Sequence, residues 1–179
     1  MFRLIFLILI TWASGAFAAT PITLPDRGQV SIRNGWDLLR DPGNMLTIER
    51  MSQPEVARAF VGQTSEPALG YVNGAAWLRL TVTRPASAPP MWLLELRSPL
   101  LNDVTLYVPQ PGGEYQRHVA GDRKPVEQRD IAYRNPVFRL DLPAGQPVTL
   151  YLRIRSTSTM SFSMTLWSGS SQKTENKAR

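Results

Sequence analysis

The stretch WLRLTVT at residues 77–83 has a period of two: Leu78, Leu80 and Val82 alternate with Trp77, Arg79, Thr81 and Thr83. Successive side chains of a strand point to opposite faces, so one row of this stretch meets an apolar core and the other does not. The pattern returns in MWLLELR (91–97), DVTLYV (103–108), VFRLDL (137–142), VTLYLRIRS (148–156) and SFSMTLW (161–167). Turn-formers separate the runs: Arg84-Pro85 through Pro89-Pro90, Pro109 through Gly113, Gly121-Asp122, and Pro143-Ala144-Gly145. Short runs with one apolar face each, spaced by turns, predict an all-β sandwich of two antiparallel sheets. Two shorter strands are expected at 29–32 and 35–39. One segment departs from the pattern. Ser52-Gln53-Pro54-Glu55 has the cap-x-x-Glu form with proline early in the first turn, and Val56, Ala57 and Phe60 follow. A short helix is expected over 53–59.

Composition agrees with one turn-rich domain. The chain has 179 residues, 15 prolines, 12 glycines, one histidine and no cysteine. Proline at that level disfavours a helical bundle. Without cysteine there are no disulfides, iron–sulfur clusters or thiolate zinc sites, and a single histidine cannot build a His-rich metal site. No cofactor or metal is therefore expected. The net charge is +6, but Arg3 and the terminal QKTENKAR carry half of the surplus. The other arginines are scattered beside Asp and Glu without a basic run, so nucleic acid is not an expected partner.

The first residues, MFRLIFLILITWASGAFAA, read as an export leader. Arg3 is the positive end, residues 4–13 are apolar apart from Thr11, and Ala16-Phe17-Ala18 supplies small side chains for cleavage after Ala18. The apolar run is too short for a comfortable membrane span. The expected organisation is a leader at 1–18, one domain at 19–168 and a disordered polar tail at 169–179. The expected location is the periplasm.

Catalytic constellations are missing from the sequence. His118 in YQRHVAG stands alone and reads as a surface strand residue; there is no G-x-S-x-G and no phosphate loop. Glu95 with Asp141 is the one carboxylate pair worth testing for hydrolysis. No enzyme activity is expected. The non-core register of the strands is more suggestive. A sheet needs only Thr or Ser there, yet it holds Trp77, Arg79, Tyr107, Tyr151 and Arg153 among others. Such residues either form cross-strand ladders or line a ligand groove, where a ring stacks on a sugar and a guanidinium forks to hydroxyls or a carboxylate.

Taken in order, GYVNGAAWLRLTV (70–82), WLLELRSPLLNDVTLYV (92–108), GDRKPVEQRDIAYRNPVFRLDLPAG (121–145) and LYLRIRSTST (150–159) resemble a known family. It is the type-two periplasmic sensor domain of bacterial seven-transmembrane receptors with diverse intracellular signalling modules. DLLRDPGNMLTIERM at 37–51 fits its strand, Asp-Pro-Gly turn and short helix, and the resemblance covers roughly 30–167. It implies a jelly-roll β-sandwich similar to carbohydrate-binding modules, lying outside the inner membrane with sugars or related small molecules as ligands. Full-length members continue into seven helices and a cytoplasmic output such as a diguanylate cyclase or histidine kinase. This sequence stops shortly after Trp167 without such a segment, so a stand-alone sensor domain or a truncated receptor is expected. The resemblance places Trp77, Arg129 and Arg134 at recurrent positions. The long polar connection 121–135 is expected to fold over Trp77 and bring those arginines to it. The expected ligand-binding set is Trp77, Arg79, Arg129, Arg134, Tyr107 and Arg153. The expected partners are a small carbohydrate-like molecule and, beyond it, a membrane receptor or a second copy of the chain. The competing readings are an interaction domain that regulates a receptor and a secreted carbohydrate-active protein.

The leader makes the first prediction. N-terminal sequencing of periplasmic material should begin at Ala19, and recovery of the uncut chain from the cytoplasm alone would contradict the export signal.

Overall fold

A computed structural model describes residues 20–169; the leader expected at 1–18 and all but the first residue of the expected tail lie outside the described residues. Within them the chain runs β1 (Ile22–Thr23), β2 (Gln29–Ile32), β3 (Trp36–Asp41), α1 (Ile48–Met51), α2 (Pro54–Arg58), β4 (Val61–Gln63), β5 (Ala68–Gly70) and β6 (Ala75–Thr83). It continues through β7 (Met91–Arg97), β8 (Asp103–Pro109), β9 (Tyr115–Ala120), β10 (Val137–Asp141), β11 (Pro147–Arg155), β12 (Met160–Ser161) and β13 (Ser163–Ser168). The larger sheet has the order β4-β3-β6-β11-β8-β9, with β1 added in parallel to β6. The smaller sheet has the order β10-β7-β13-β2, and β5 with β12 forms a separate ribbon. From β6 onward the chain crosses repeatedly between the two main sheets, which makes the fold a jelly-roll β-sandwich.

The alternation explains the register. In β6 the residues Leu78, Leu80 and Val82 face inward, and β11 sets Leu152 opposite Leu78 and Leu150 opposite Leu80. Trp92, Leu94 and Leu96 of β7 close the core from the other sheet, with Phe138, Leu140, Met164 and Leu166 beside them. A one-residue slip in any of these strands would turn its apolar row out of the core.

Three local expectations are corrected. The helix occupies Pro54–Arg58 with Gln53 as its cap residue and no side-chain cap bond, and a further turn, α1, precedes it. The run at 161–167 is interrupted: Met160–Ser161 pairs with β5 across an irregular register, and only Ser163–Ser168 joins β7. β1, β4, β5 and β9 lie outside the strands that alternation predicts. The first three have no more than three residues each, and β9 reads YQRHVA with no clean alternation.

The outer faces hold the largest surprise. The polar register of β6 was expected to face solvent or a groove, but Trp77 is 0% exposed. It packs with Tyr151 under Ile48, Met51, Val56 and Phe60 in a second core between the larger sheet and the α1–α2 segment. Both faces of β6 are therefore buried from Ala75 to Leu78, while Arg79, Thr81 and Thr83 further along the outer face are half-buried. The connection expected to cover Trp77 lies elsewhere: its Ile131 and Tyr133 pack on Leu93, Val137 and Trp167, on the outer face of the smaller sheet.

Leu94→Ala should lower unfolding free energy by about 2–5 kcal/mol in a urea titration, because it empties a fully buried site. A loss below about 1 kcal/mol, the size of an ordinary surface substitution effect, would mean that the register is wrong.

Candidate functional site

The structure brings Trp77, Arg79, Tyr107 and Arg153 together on the outer face of the larger sheet. Tyr107 stacks on Trp77 with ring centres 5.7 Å apart and planes 20° apart. The Arg153 guanidinium stands 5.9 Å from the Trp77 ring and donates to Asn44 Oδ1. Arg79 donates from Nε to Asp37 Oδ2 at 2.8 Å and from Nη1 to the Ala57 carbonyl at 3.2 Å, and its Cζ lies 4.5 Å from the centre of the Phe60 ring. It thus ties β3 and α2 to β6. Burial pushes the Tyr151 hydroxyl above its ordinary range, with Tyr115 adding to the shift, and burial raises Tyr115 as well. Asp37 Oδ1 and Trp77 Nε1 are buried without a hydrogen-bond partner. Each orphaned group costs about 1–3 kcal/mol, so apolar burial holds this cover down against a polar penalty. Trp77 offers no face on which a ligand can stack. The reason is the α1–α2 segment, whose apolar side chains match the aromatic row below it.

Arg129 and Arg134 belong to the other side of the molecule. Arg129 donates from Nη2 to the Lys124 carbonyl at 2.7 Å and from Nη1 to the Tyr133 carbonyl at 3.1 Å, which shapes its own loop. Arg134 is exposed on the same connection. Glu95 is buried and accepts from Asn135 Nδ2 at 2.8 Å and Trp167 Nε1 at 3.2 Å. Asp141 lies four residues further along the β10–β7 ladder from Glu95, roughly 13 Å at the strand rise, so the two carboxylates do not flank one reacting bond.

His118 is a correction too: it is mostly covered rather than a surface residue, and its Nδ1 meets Asp130 Oδ2 at 2.7 Å. Burial pushes the Asp130 carboxyl up, but hydrogen bonds from His118 and the Arg139 N–H, with the positive charge of both residues, outweigh it and hold the carboxyl below its ordinary value.

Among the concave surfaces of the described residues, a cleft of about 410 Å³ lies at one end of the sandwich. Tyr71, Asn44, Arg123, Ser156 and Thr157 line it from four separate connections, with Arg155 from the end of β11. Its floor is fixed by Asn102, which is buried. Asn102 Oδ1 accepts from the Thr157 N–H at 2.7 Å and the Thr157 hydroxyl at 2.9 Å, while Nδ2 donates to both oxygens of Asp122. One amide therefore joins the β7–β8, β9–β10 and β11–β12 connections. Two glycines permit the close approaches beside it. Gly121, at φ +114°, lies where a Cβ would overlap the Asn102 carbonyl, and Gly74, at φ +75°, lies where one would overlap the Asp41 and Pro42 carbonyls. On the Gly74 side, the buried Asp41 carboxylate accepts from the Met45 and Leu46 N–H groups at 3.0 and 2.9 Å, and so orients the turn that carries Asn44. The result is a pocket of small-molecule size with walls that are already bonded in place.

None of the cleft residues stood in the expected binding set, although Arg155 shares the non-core register with Arg153. The available signals were small: the polar run Ser156–Thr159 just after a strand, and GYVNG, whose exposed tyrosine sits between two glycines.

Residues 33–168 match the family described as 7TMR-DISM extracellular 2. No curated protein matches the chain. Among solved structures, similar folds occur in β-glucuronidase 2 of Bacteroides uniformis at TM-score 0.48 and 12% identity, over 77% of this chain and 17% of that one. They occur also in the β-glucuronidase of Ruminococcus gnavus at 0.46 and 16%, over 78% and 22%. A glycosyl hydrolase family 2 member of Bacteroides cellulosilyticus gives 0.45 and 11%, over 78% and 20%. The chain thus spans about a fifth of the length of these proteins.

Two predictions come from these clusters. Arg79→Met leaves the Asp37 carboxylate buried and uncompensated, which should cost about 3–5 kcal/mol in chemical denaturation. Adding Asp37→Leu should restore part of it; an unchanged midpoint in the single variant would refute the clamp. For Asp130 the folded-state value is depressed, so its stabilisation is complete above the ordinary carboxylate range and is lost as pH falls through the lowered value. Asp130→Asn should therefore flatten the acid side of a melting-temperature profile, and an identical acid slope in both proteins would contradict the pairing.

Proposed function

Because the chain belongs to the 7TMR-DISM extracellular 2 family, we propose that it is the non-catalytic, ligand-receiving domain of a bacterial membrane receptor and takes a small hydroxylated molecule at its loop-end cleft. The observation that carries this reading is the buried Asn102, which bonds three connections into one rigid rim around exposed polar groups. Binding residues concentrate on loops that a rigid scaffold positions, and a prepared rim reduces the ordering cost of capture. The carbohydrate-like ligand expected from the sequence fits here better than over Trp77, because Tyr71 is 77% exposed whereas Trp77 is covered. In this reading Arg79, Tyr107 and Arg153 support the site indirectly. Arg153 does so through its bond to Asn44, which lines the cleft. No helix among the described residues is long and apolar enough to cross a membrane. As a receptor's extracellular domain, it works in this reading on the outer side of the inner membrane.

The test is a backbone amide NMR titration with neutral hexoses, sugar acids and polyols. The reading predicts shifts at residues 71–74, 102–103 and 155–157. Shifts confined to the strands around Trp77, or none with any compound, would overturn it.

A further inference from the structure

The donors and acceptors of the cleft are not balanced, and the imbalance identifies the ligand class. Two cations line the cleft, Arg123 and Arg155, both exposed. Neither has a carboxylate within ion-pair distance among the described residues. One acid, Asp103, also lines the cleft and stands opposite Arg155 in the β11–β8 pairing, but Lys124 Nζ takes its carboxylate at 3.3 Å and balances its charge. The neighbouring Asp122 carboxylate is turned to the Asn102 amide. Two guanidinium groups are thus left directed to solvent at a pocket rim.

The hydroxyls complete the pattern. The Thr157 hydroxyl donates to Asn102 Oδ1, and the Ser156 hydroxyl donates to the Leu100 carbonyl at 3.2 Å, with Asn102 Oδ1 at 3.4 Å. Their protons are committed, so toward a ligand both oxygens act as acceptors. Asn44 is the converse: its Oδ1 accepts from Arg153, which leaves its amide N–H groups free to donate. The exposed Tyr71 ring adds an apolar face.

We infer that the cleft selects a polyhydroxylated carboxylate of sugar-acid type. Its carboxylate engages Arg155 and Arg123, its hydroxyls donate to Ser156 and Thr157 and accept from Asn44, and its apolar face lies on Tyr71. A neutral sugar satisfies the hydroxyl acceptors but leaves two guanidinium groups without an anion; a simple anion does the reverse. A planar fork meets a carboxylate with two parallel bonds, which gives orientation as well as strength. This inference rests on the proposed cleft site and adds to it the requirement for negative charge.

The experiment uses the chain with D-glucuronate, D-galacturonate and D-mannuronate, the matching neutral hexoses D-glucose, D-galactose and D-mannose, and glucose 6-phosphate. Affinities are read from NMR titration, with the shifted residues recorded. At least one uronate should bind at residues 71–74, 102–103 and 155–157 about tenfold or more tightly than its neutral partner, the factor expected for a charge-assisted bond. In Arg155→Gln, which alters an exposed side chain and leaves the core untouched, that preference should collapse while the melting temperature stays unchanged. Equal binding of uronates and neutral hexoses at the cleft would overturn the acid requirement and leave the cleft reading standing. So would cleft binding by glucose 6-phosphate without any uronate, which would make the site a phosphate receiver. If no compound moves the cleft residues, both the inference and the site fall together.

Discussion

The pairing of Arg79 with Asp37 joins two strands of the larger sheet to their helical cover at one point. Asp37 lies on β3, Arg79 on β6, and the same guanidinium reaches the α2 carbonyl of Ala57 and stacks against Phe60. The sheet below cannot be solvated on that side, because Trp77 and Tyr151 form an apolar row there. The α1–α2 segment is too short to be a stable helix pair by itself. It is ordered by what lies beneath it, and the arginine sets its position. The guanidinium is therefore a bolt between sheet and cover, with its charge balanced by a buried carboxylate.

Closing that face has a consequence for function. With the aromatic part of the larger sheet's outer face covered by α1–α2 and part of the smaller sheet covered by Ile131 and Tyr133, the ends of the sandwich become the natural place for recognition. At one end, Asn102 and the glycines at positions 74 and 121 bring separate connections together. The cover also reaches this rim. The turn after β3 carries Asn44 to the cleft, and Arg153 links Asn44 to the ring of Trp77. The second core and the cleft are thus physically continuous, through one residue on each side.

Much of the fold was legible because inward residues obey a strict period. Leu78, Leu80 and Val82, and Trp92, Leu94 and Leu96, face the core as their alternation requires. The outer face was not legible for the same reason: period two says which residues share a face, not what lies against it. Trp77 and Arg79 among threonines look like a binding register and are in fact the base of a second core. The clue was the apolar set Ile48, Met51, Val56 and Phe60, which had no partner in a single-core sandwich. The cleft was harder still. Its residues come from separate connections and the end of β11, and only the fold brings Tyr71, Arg123 and Arg155 to one place. Asn102 looks like any turn asparagine until its amide is seen joining loops that are 20 and 55 residues apart in sequence.

Solvent paramagnetic relaxation of the protein's NMR signals tests the central claim, that the aromatic face is closed and the loop end is open. With a soluble neutral gadolinium chelate, the account predicts that the Trp77 indole N–H signal keeps its linewidth, while the amides of Tyr71, Asn73 and Arg155 broaden strongly. Broadening of the Trp77 indole to the level of Tyr71 would mean that the α1–α2 cover does not lie on the sheet, and would contradict the account.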